Sequence, residues 1–98
     1  MDIIEEFKEL VMIDSASGQE RAIADVLTAK LRALGFAVTE DRAGETFGGD
    51  TGNLTAIREG DRPGAILFCS HMDRVANGLH IRPREKDGCL VSDGTTIL

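Results

Sequence analysis

A histidine and an aspartate follow the most apolar stretch of this 98-residue sequence. His71 and Asp73 come directly after Ala65–Cys69, an uninterrupted apolar run of strand length. Residues two apart on a strand point to the same side, so both side chains are predicted to face the crevice where open α/β sheets place ligands. A zinc-binding imidazole usually donates its second ring nitrogen to a carboxylate. The pattern favours His71 as a zinc ligand and Asp73 as the residue that fixes its tautomer. The alternative is a strand-end histidine and a turn-forming aspartate, each satisfied by local hydrogen bonds.

Other residues that could take part in binding or catalysis show less specific patterns. The glycine-rich stretch 43–52 lacks the Gly-Lys-Ser/Thr ending of a phosphate-binding loop and is predicted to be an ordinary loop. Cys69 and Cys89 do not have metal-site or redox-motif spacing. Both are interpreted as small buried hydrophobic residues in a reducing compartment. His80 is expected to have a solvated surface role.

The first half of the chain has the periodicity of two helices. Apolar residues from Ile3 to Val11 recur on one helix face. A second pattern runs from Ile23 to Leu34, with Gly35 following as a natural helix terminator. Ser17 and Glu20 stand three residues apart at its head and predict a capping box.

The second half is strand-like. Residues 36–40 alternate in polarity, residues 53–58 form another candidate strand, and Cys89–Val91 predicts a short last one. The run Ala65–Cys69 is predicted to be the central strand because both its faces are apolar. Two helices followed by several strands indicate an α/β fold with helices covering a mixed β-sheet.

Composition excludes several classes of function. Eleven basic residues against 17 acidic ones give a net charge of −6, and aromatic residues make up only 4%. A nucleic-acid partner is therefore not expected. There is no apolar run of about 20 residues that would span a membrane, and the acidic amino terminus does not resemble a signal peptide. These features predict a cytoplasmic protein without a membrane partner.

Several motifs, taken in order, resemble one known family. They are Ile-Asp-Ser-Ala-Ser-Gly-Gln-Glu (13–20), Leu-Gly-Phe (34–36), Gly-Asn-Leu (52–54), Ile-Leu-Phe-Cys-Ser-His-Met-Asp (66–73) and Ser-Asp-Gly-Thr-Thr-Ile-Leu (92–98). The chain is similar to the amino-terminal part of the co-catalytic zinc exopeptidases, which include peptidase T, glutamate carboxypeptidase and the aminoacylases. The last motif is most like the peptidase T-like branch.

The resemblance implies a three-layer α/β/α catalytic domain and two zinc ions about a water that attacks a peptide or amide carbonyl. His71 matches the family's zinc ligand, and Asp73 matches the catalytic-site aspartate that supports it. Residues 1–98 are expected to be a partial catalytic domain that ends before the segment with the bridging aspartate and lacks the lid domain. Arg74 stands where a threonine is more usual, which leaves the substrate class open.

The expected activity is tripeptidase-like hydrolysis of the N-terminal peptide bond of short peptides. The 98-residue chain alone is predicted to be inactive, because a catalytic zinc needs about three protein ligands. Two alternatives are a related zinc amidohydrolase or deacylase and a small non-enzymatic α/β interaction module. Arg74 is a candidate for binding a substrate carboxylate or for pairing with a neighbouring acid. The chain is also a candidate homo-oligomer, through an exposed sheet edge or apolar surface.

Overall fold

The computed structural model describes all 98 residues as two helices followed by four short strands. The elements are α1 (Ile3–Val11), α2 (Arg21–Ala33), β1 (Ala37–Glu40), β2 (Leu54–Ile57), β3 (Arg84–Lys86) and β4 (Cys89–Val91). Strand β1 pairs antiparallel with β2, and β3 pairs antiparallel with β4. The predicted α/β character is confirmed, with the strands arranged as two separate pairs and not as one continuous mixed sheet. No helix is both long and apolar enough to cross a membrane.

The helix boundaries follow from local chemistry. The Asp2 carboxylate accepts the backbone N–H of Ile4 at 2.9 Å and so caps the start of α1. At the end of α2, Gly35 adopts a positive φ of 88°, and the N–H of Phe36 donates to the carbonyl of Leu31 at 3.0 Å. This is the glycine-terminated geometry that the sequence predicts.

The predicted capping box at the start of α2 is wrong. The helix begins at Arg21, which leaves Ser17 too far away to cap its first turn. The Glu20 carboxylate accepts the N–H of Gly18 at 3.0 Å, and the Asp50 carboxylate accepts the N–H of Arg21 at 3.1 Å. Asp50, which lies 29 positions from Arg21 along the chain, therefore supplies a capping contact that the sequence pattern assigns to Ser17.

The apolar run Ala65–Cys69 does not form the predicted central strand. Ile66, Leu67 and Phe68 are 83%, 90% and 89% exposed, and no strand of this chain lies beside them. A β-strand requires hydrogen-bonded neighbours, and none of the 98 residues supplies one here. The predicted burial of Cys69 and Cys89 is also wrong, because both thiols are free and exposed.

The buried core is small and joins α2 to β1. Ile23 and Ala24 of α2 are buried, as are Val38 of β1 and Ile81 of a later loop. Arg21 extends this contact at the surface, where its guanidinium lies 2.7 Å from the Glu40 carboxylate. The contact between α2 and β1 is thus stabilised by a few apolar side chains and one ion pair.

The loop between β1 and β2 is closed by a glycine that has no room for a side chain. A Cβ at Gly44 would lie 1.8 Å from the backbone oxygen of Thr51. We expect Gly44→Ala to lower the free energy of unfolding by about 2 kcal/mol, a usual cost of overpacking. Urea unfolding followed by circular dichroism measures this change. Gly60→Ala is the control, because a Cβ at Gly60 meets nothing within 4 Å; equal stability of the two variants would contradict the prediction.

Asp41 organises the same loop and makes its stability dependent on pH. Its carboxylate accepts the backbone N–H groups of Ala43 at 3.0 Å and Asn53 at 2.8 Å, and also the Asn53 amide at 3.0 Å. These hydrogen bonds, that of Ala43 first, hold the pKa of Asp41 below its usual value.

A pKa that is lower in the folded chain than in the unfolded chain contributes stability above the unfolded value of about 3.9. This contribution is lost as the pH falls through the folded value. We therefore expect Asp41→Asn to be less stable than the parent chain at pH 7, with the difference shrinking below about pH 3.9. Urea unfolding of both chains at pH 7 and below about pH 3.9 measures this difference. Asp61→Asn, at an exposed turn position, should show no such trend, and a constant Asp41→Asn difference would count against the prediction.

Candidate functional site

His71 and Asp73 are in direct contact, in the arrangement that their spacing suggests. The Nδ1 atom of His71 lies 2.8 Å from Oδ1 of Asp73. The His71 side chain is 81% exposed, so this contact is its anchor to the protein. With Nδ1 engaged by a carboxylate, the tautomer that places the proton on Nδ1 is favoured, and Nε2 keeps its lone pair for a ligand.

The second oxygen of the Asp73 carboxylate has its own partner. The hydroxyl of Ser17 donates to Oδ2 of Asp73. The hydrogen bond from Ser17 first, and then that from His71, holds the pKa of Asp73 below its usual value. Asp73 is thus an ionised carboxylate with both oxygens engaged. Ser17 is not predicted as a site residue from the sequence, because its position before α2 favours a role as a helix cap.

The segment that carries Ser17 is bound to the segment that carries Asp73. The backbone N–H of Arg74 donates to the carbonyl of Ser15 at 2.8 Å, and Ala16 forms a parallel bridge with Arg74. Ser15 is buried. The loop before α2 and the residues after the apolar run therefore meet through backbone contacts, although they are more than 50 positions apart in the chain.

Arg74 contacts the end of α1. Its guanidinium donates to the carbonyls of Val11 and Ile13, and its side chain is only 17% exposed. One guanidinium nitrogen also lies 4.0 Å from the Asp14 carboxylate. These contacts favour a structural role for Arg74 over a role in binding substrate, since both terminal nitrogens donate to backbone oxygens and the unpartnered Nε is buried.

A cleft of about 240 Å³ lies beside the pair. His71 and Asp73 form one part of its lining, and Glu20 of the loop before α2 forms another. Phe47 and Asn53 contribute from the loop between β1 and β2. The exposed imidazole therefore borders a space in which a small molecule can contact it.

The cleft lining holds the carboxylates of Glu20 and Asp73 beside His71, but these side chains do not form a metal-binding cluster. No group of three or more histidine, cysteine, aspartate or glutamate side chains in the chain is arranged to hold a metal ion. His80 contacts Asp14, with its Nδ1 atom 3.2 Å from the carboxylate. The residues present therefore fit one ligand of a metal site, His71, together with the carboxylate that orients it.

The chain is similar to known proteins over most of its length. No family model matches the chain. A protein of Bacillus subtilis called YqjE, described as uncharacterised, is 41% identical over 97 residues. A succinyl-diaminopimelate desuccinylase of Sphingopyxis alaskensis is 37% identical over 79 residues. These matches cover 98% and 81% of the chain but only 26% and 21% of the relatives, so the chain spans about a quarter of their length.

Two crystal structures superpose closely on the chain. The aminopeptidase PepT of Bacillus cereus matches with a TM-score of 0.90 and 45% identity. A tripeptidase of Staphylococcus aureus matches with a TM-score of 0.87 and 38% identity. The superpositions cover 97% and 96% of the chain and 26% of each structure. Over nearly its whole length the chain is thus similar to peptidase T-like proteins, and it corresponds to about a quarter of the length of those it matches.

Proposed function

We propose that these residues are the amino-terminal part of a zinc-dependent exopeptidase that removes the N-terminal residue of short peptides. The observation that carries the proposal is the contact between His71 and Asp73 beside an open cleft. The structural relatives named as an aminopeptidase and a tripeptidase support the reaction type. This exopeptidase, the whole protein, comprises the present chain together with the length that its relatives have beyond it.

In this proposal His71 is a metal ligand through Nε2, and Asp73 holds the ring in the required tautomer. A zinc ion bound there would supply a Lewis acid able to polarise the scissile carbonyl and to lower the pKa of a water molecule. A catalytic zinc takes about three protein ligands, and the chain offers one, so the remaining ligands and those of a second zinc come from the rest of the whole protein. We therefore expect the 98-residue chain alone to be inactive.

A second candidate reaction is the removal of an acyl group by the same metal chemistry. The relative from Sphingopyxis alaskensis, named as a desuccinylase, favours this alternative. Both reactions attack an amide carbonyl, and they differ in whether the amide belongs to a peptide or to an acylated amine. Substrate choice therefore depends on side chains that contact the groups flanking this amide.

The partners and location proposed for the whole protein follow from its chemistry. A short peptide is the substrate, and the net charge of −6 argues against a nucleic-acid partner. We place the protein in the cytoplasm, where both cysteines stay reduced. Self-association through the exposed run Ala65–Cys69 is expected for the isolated chain, since exposed apolar patches promote it.

The test begins with the coding DNA beyond the codon for Leu98. The whole protein is purified, its zinc content is measured by inductively coupled plasma mass spectrometry, and tripeptides and N-succinyl amino acids are offered in parallel. Zinc together with release of the N-terminal residue supports the peptidase proposal, and cleavage of the succinyl substrates alone supports the deacylase alternative. A protein without zinc and without either activity overturns both and favours a non-enzymatic module.

A further inference from the structure

The serine that contacts Asp73 has no role in the function proposed above. We propose that Ser17 is a positioning residue for His71 and that it acts through the Asp73 carboxylate. The inference rests on the proposed function, because it concerns the orientation of the ligand assigned there. Its basis is a continuous chain of contacts, from the Ser17 hydroxyl to Oδ2 of Asp73 and from Oδ1 of Asp73 to Nδ1 of His71.

The geometry explains why His71 needs such support. Its imidazole is 81% exposed, and Asp73 is the side chain that holds it. The Asp73 side chain is itself 38% exposed, so water competes for its oxygens. The terminal torsion of an aspartate is broad, and a carboxylate held at one oxygen alone can turn. A donor on Oδ2 restricts this rotation and keeps Oδ1 directed at the imidazole.

Ser17 is suited to this task because its backbone is fixed by contacts on both sides. The preceding residues Ser15 and Ala16 are tied to Arg74 by the backbone contacts described above. The following residue, Gly18, accepts the backbone N–H of Asp50 at 3.1 Å. The hydroxyl is therefore held at a constant position relative to Asp73, which a donor on a free loop would not be.

The first test measures the tautomer of His71 in the 98-residue chain by two-bond ¹H–¹⁵N NMR correlation, at a pH where the ring is neutral. We expect the Nδ1-protonated form to predominate in the parent chain and the Nε2-protonated form to gain population in Ser17→Ala. Ser17 is exposed, so Ser17→Thr has room for its methyl group and should restore the parent tautomer. Thr55→Ala removes an exposed hydroxyl from β2 and serves as the matched control.

An unchanged His71 tautomer in Ser17→Ala overturns the inference. Circular dichroism verifies that each variant folds. If Ser17→Ala does not, Ser17→Gly takes its place, since it also removes the hydroxyl donor. An unchanged tautomer in that variant would be equally decisive against the inference.

The second test measures zinc affinity of the whole protein by competition with a chelator. Outer partners of metal ligands contribute about 10–100-fold to affinity, and we expect Ser17→Ala to weaken binding about tenfold, with recovery in Ser17→Thr. The two proposals fail separately. If His71→Ala binds zinc as well as the parent does, the proposed function is wrong. If His71→Ala loses zinc and Ser17→Ala binds it normally, only the role of Ser17 is wrong.

Discussion

Replacing His71 with alanine is expected to remove one zinc ion from the whole protein and to reduce peptide hydrolysis about a thousandfold or more. The metal supplies several kcal/mol of transition-state stabilisation, and each ~1.4 kcal/mol corresponds to a factor of ten in rate. The effect should be large because a catalytic zinc takes about three protein ligands, and the variant removes one of them. Zinc content and the initial rate on a tripeptide measure the two consequences.

The matched control is the other histidine of the chain, His80, which contacts Asp14. Its φ of 58° lies in the left-handed region, which asparagine tolerates better than most residues. His80→Asn should therefore retain the fold, the zinc and the activity. Full zinc loading of His71→Ala, or equal loss in both variants, would contradict the assignment of His71 as a ligand.

Replacing Arg74 with alanine is expected to destabilise the 98-residue chain by about 3 kcal/mol. The guanidinium donates to the carbonyls of Val11 and Ile13 at the end of α1, and a hydrogen bond to a charged group contributes about 1.5–3 kcal/mol. Truncation leaves both carbonyls without this donor. Small domains have only about 5–15 kcal/mol of stability in total, and this chain buries few apolar side chains. Urea unfolding followed by circular dichroism measures the loss.

Two further variants separate the structural role of Arg74 from a role in binding substrate. Arg74→Lys keeps the charge but lacks the planar fork that reaches two carbonyls, so it should recover only part of the stability. Arg62→Ala, at an exposed turn position, should be neutral. In the whole protein, Arg74→Ala should leave the KM for a tripeptide unchanged under conditions where it stays folded. A raised KM with normal stability would instead assign Arg74 to the substrate.

Local elements of the fold could be predicted from the sequence because their determinants are close together in the chain. The apolar spacing of residues 3–11 specifies α1, and Gly35 ends α2 because it adopts a positive φ at no steric cost. The alternating residues of β1 face those of β2 across an antiparallel register. The strand β3 (Arg84–Lys86) was missed because it is wholly exposed and polar.

The predictions that failed depend on partners distant in the sequence. The apolar composition of Ala65–Cys69 predicts a buried strand, but burial requires neighbouring strands that this chain does not place there. The capping-box prediction failed because the Ser17 hydroxyl donates to Asp73, which lies 56 positions along the chain. The Asp50 carboxylate instead accepts a backbone N–H at the start of α2. A sequence pattern indicates which contacts a side chain is able to form. It does not identify the distant group that the side chain contacts in the folded chain.

The contacts of the candidate site also differ in whether they could be predicted from the sequence. The sequence by itself determined that His71 and Asp73 are neighbours with complementary chemistry, since a spacing of two residues brings their side chains within reach of one another. Only the tertiary structure decided that Ser17 takes the other oxygen of Asp73 and that Arg74 contacts the end of α1. The physical reason is that these contacts form when the loop before α2 meets the segment after residue 70, and contacts between distant segments depend on the packing of the whole chain.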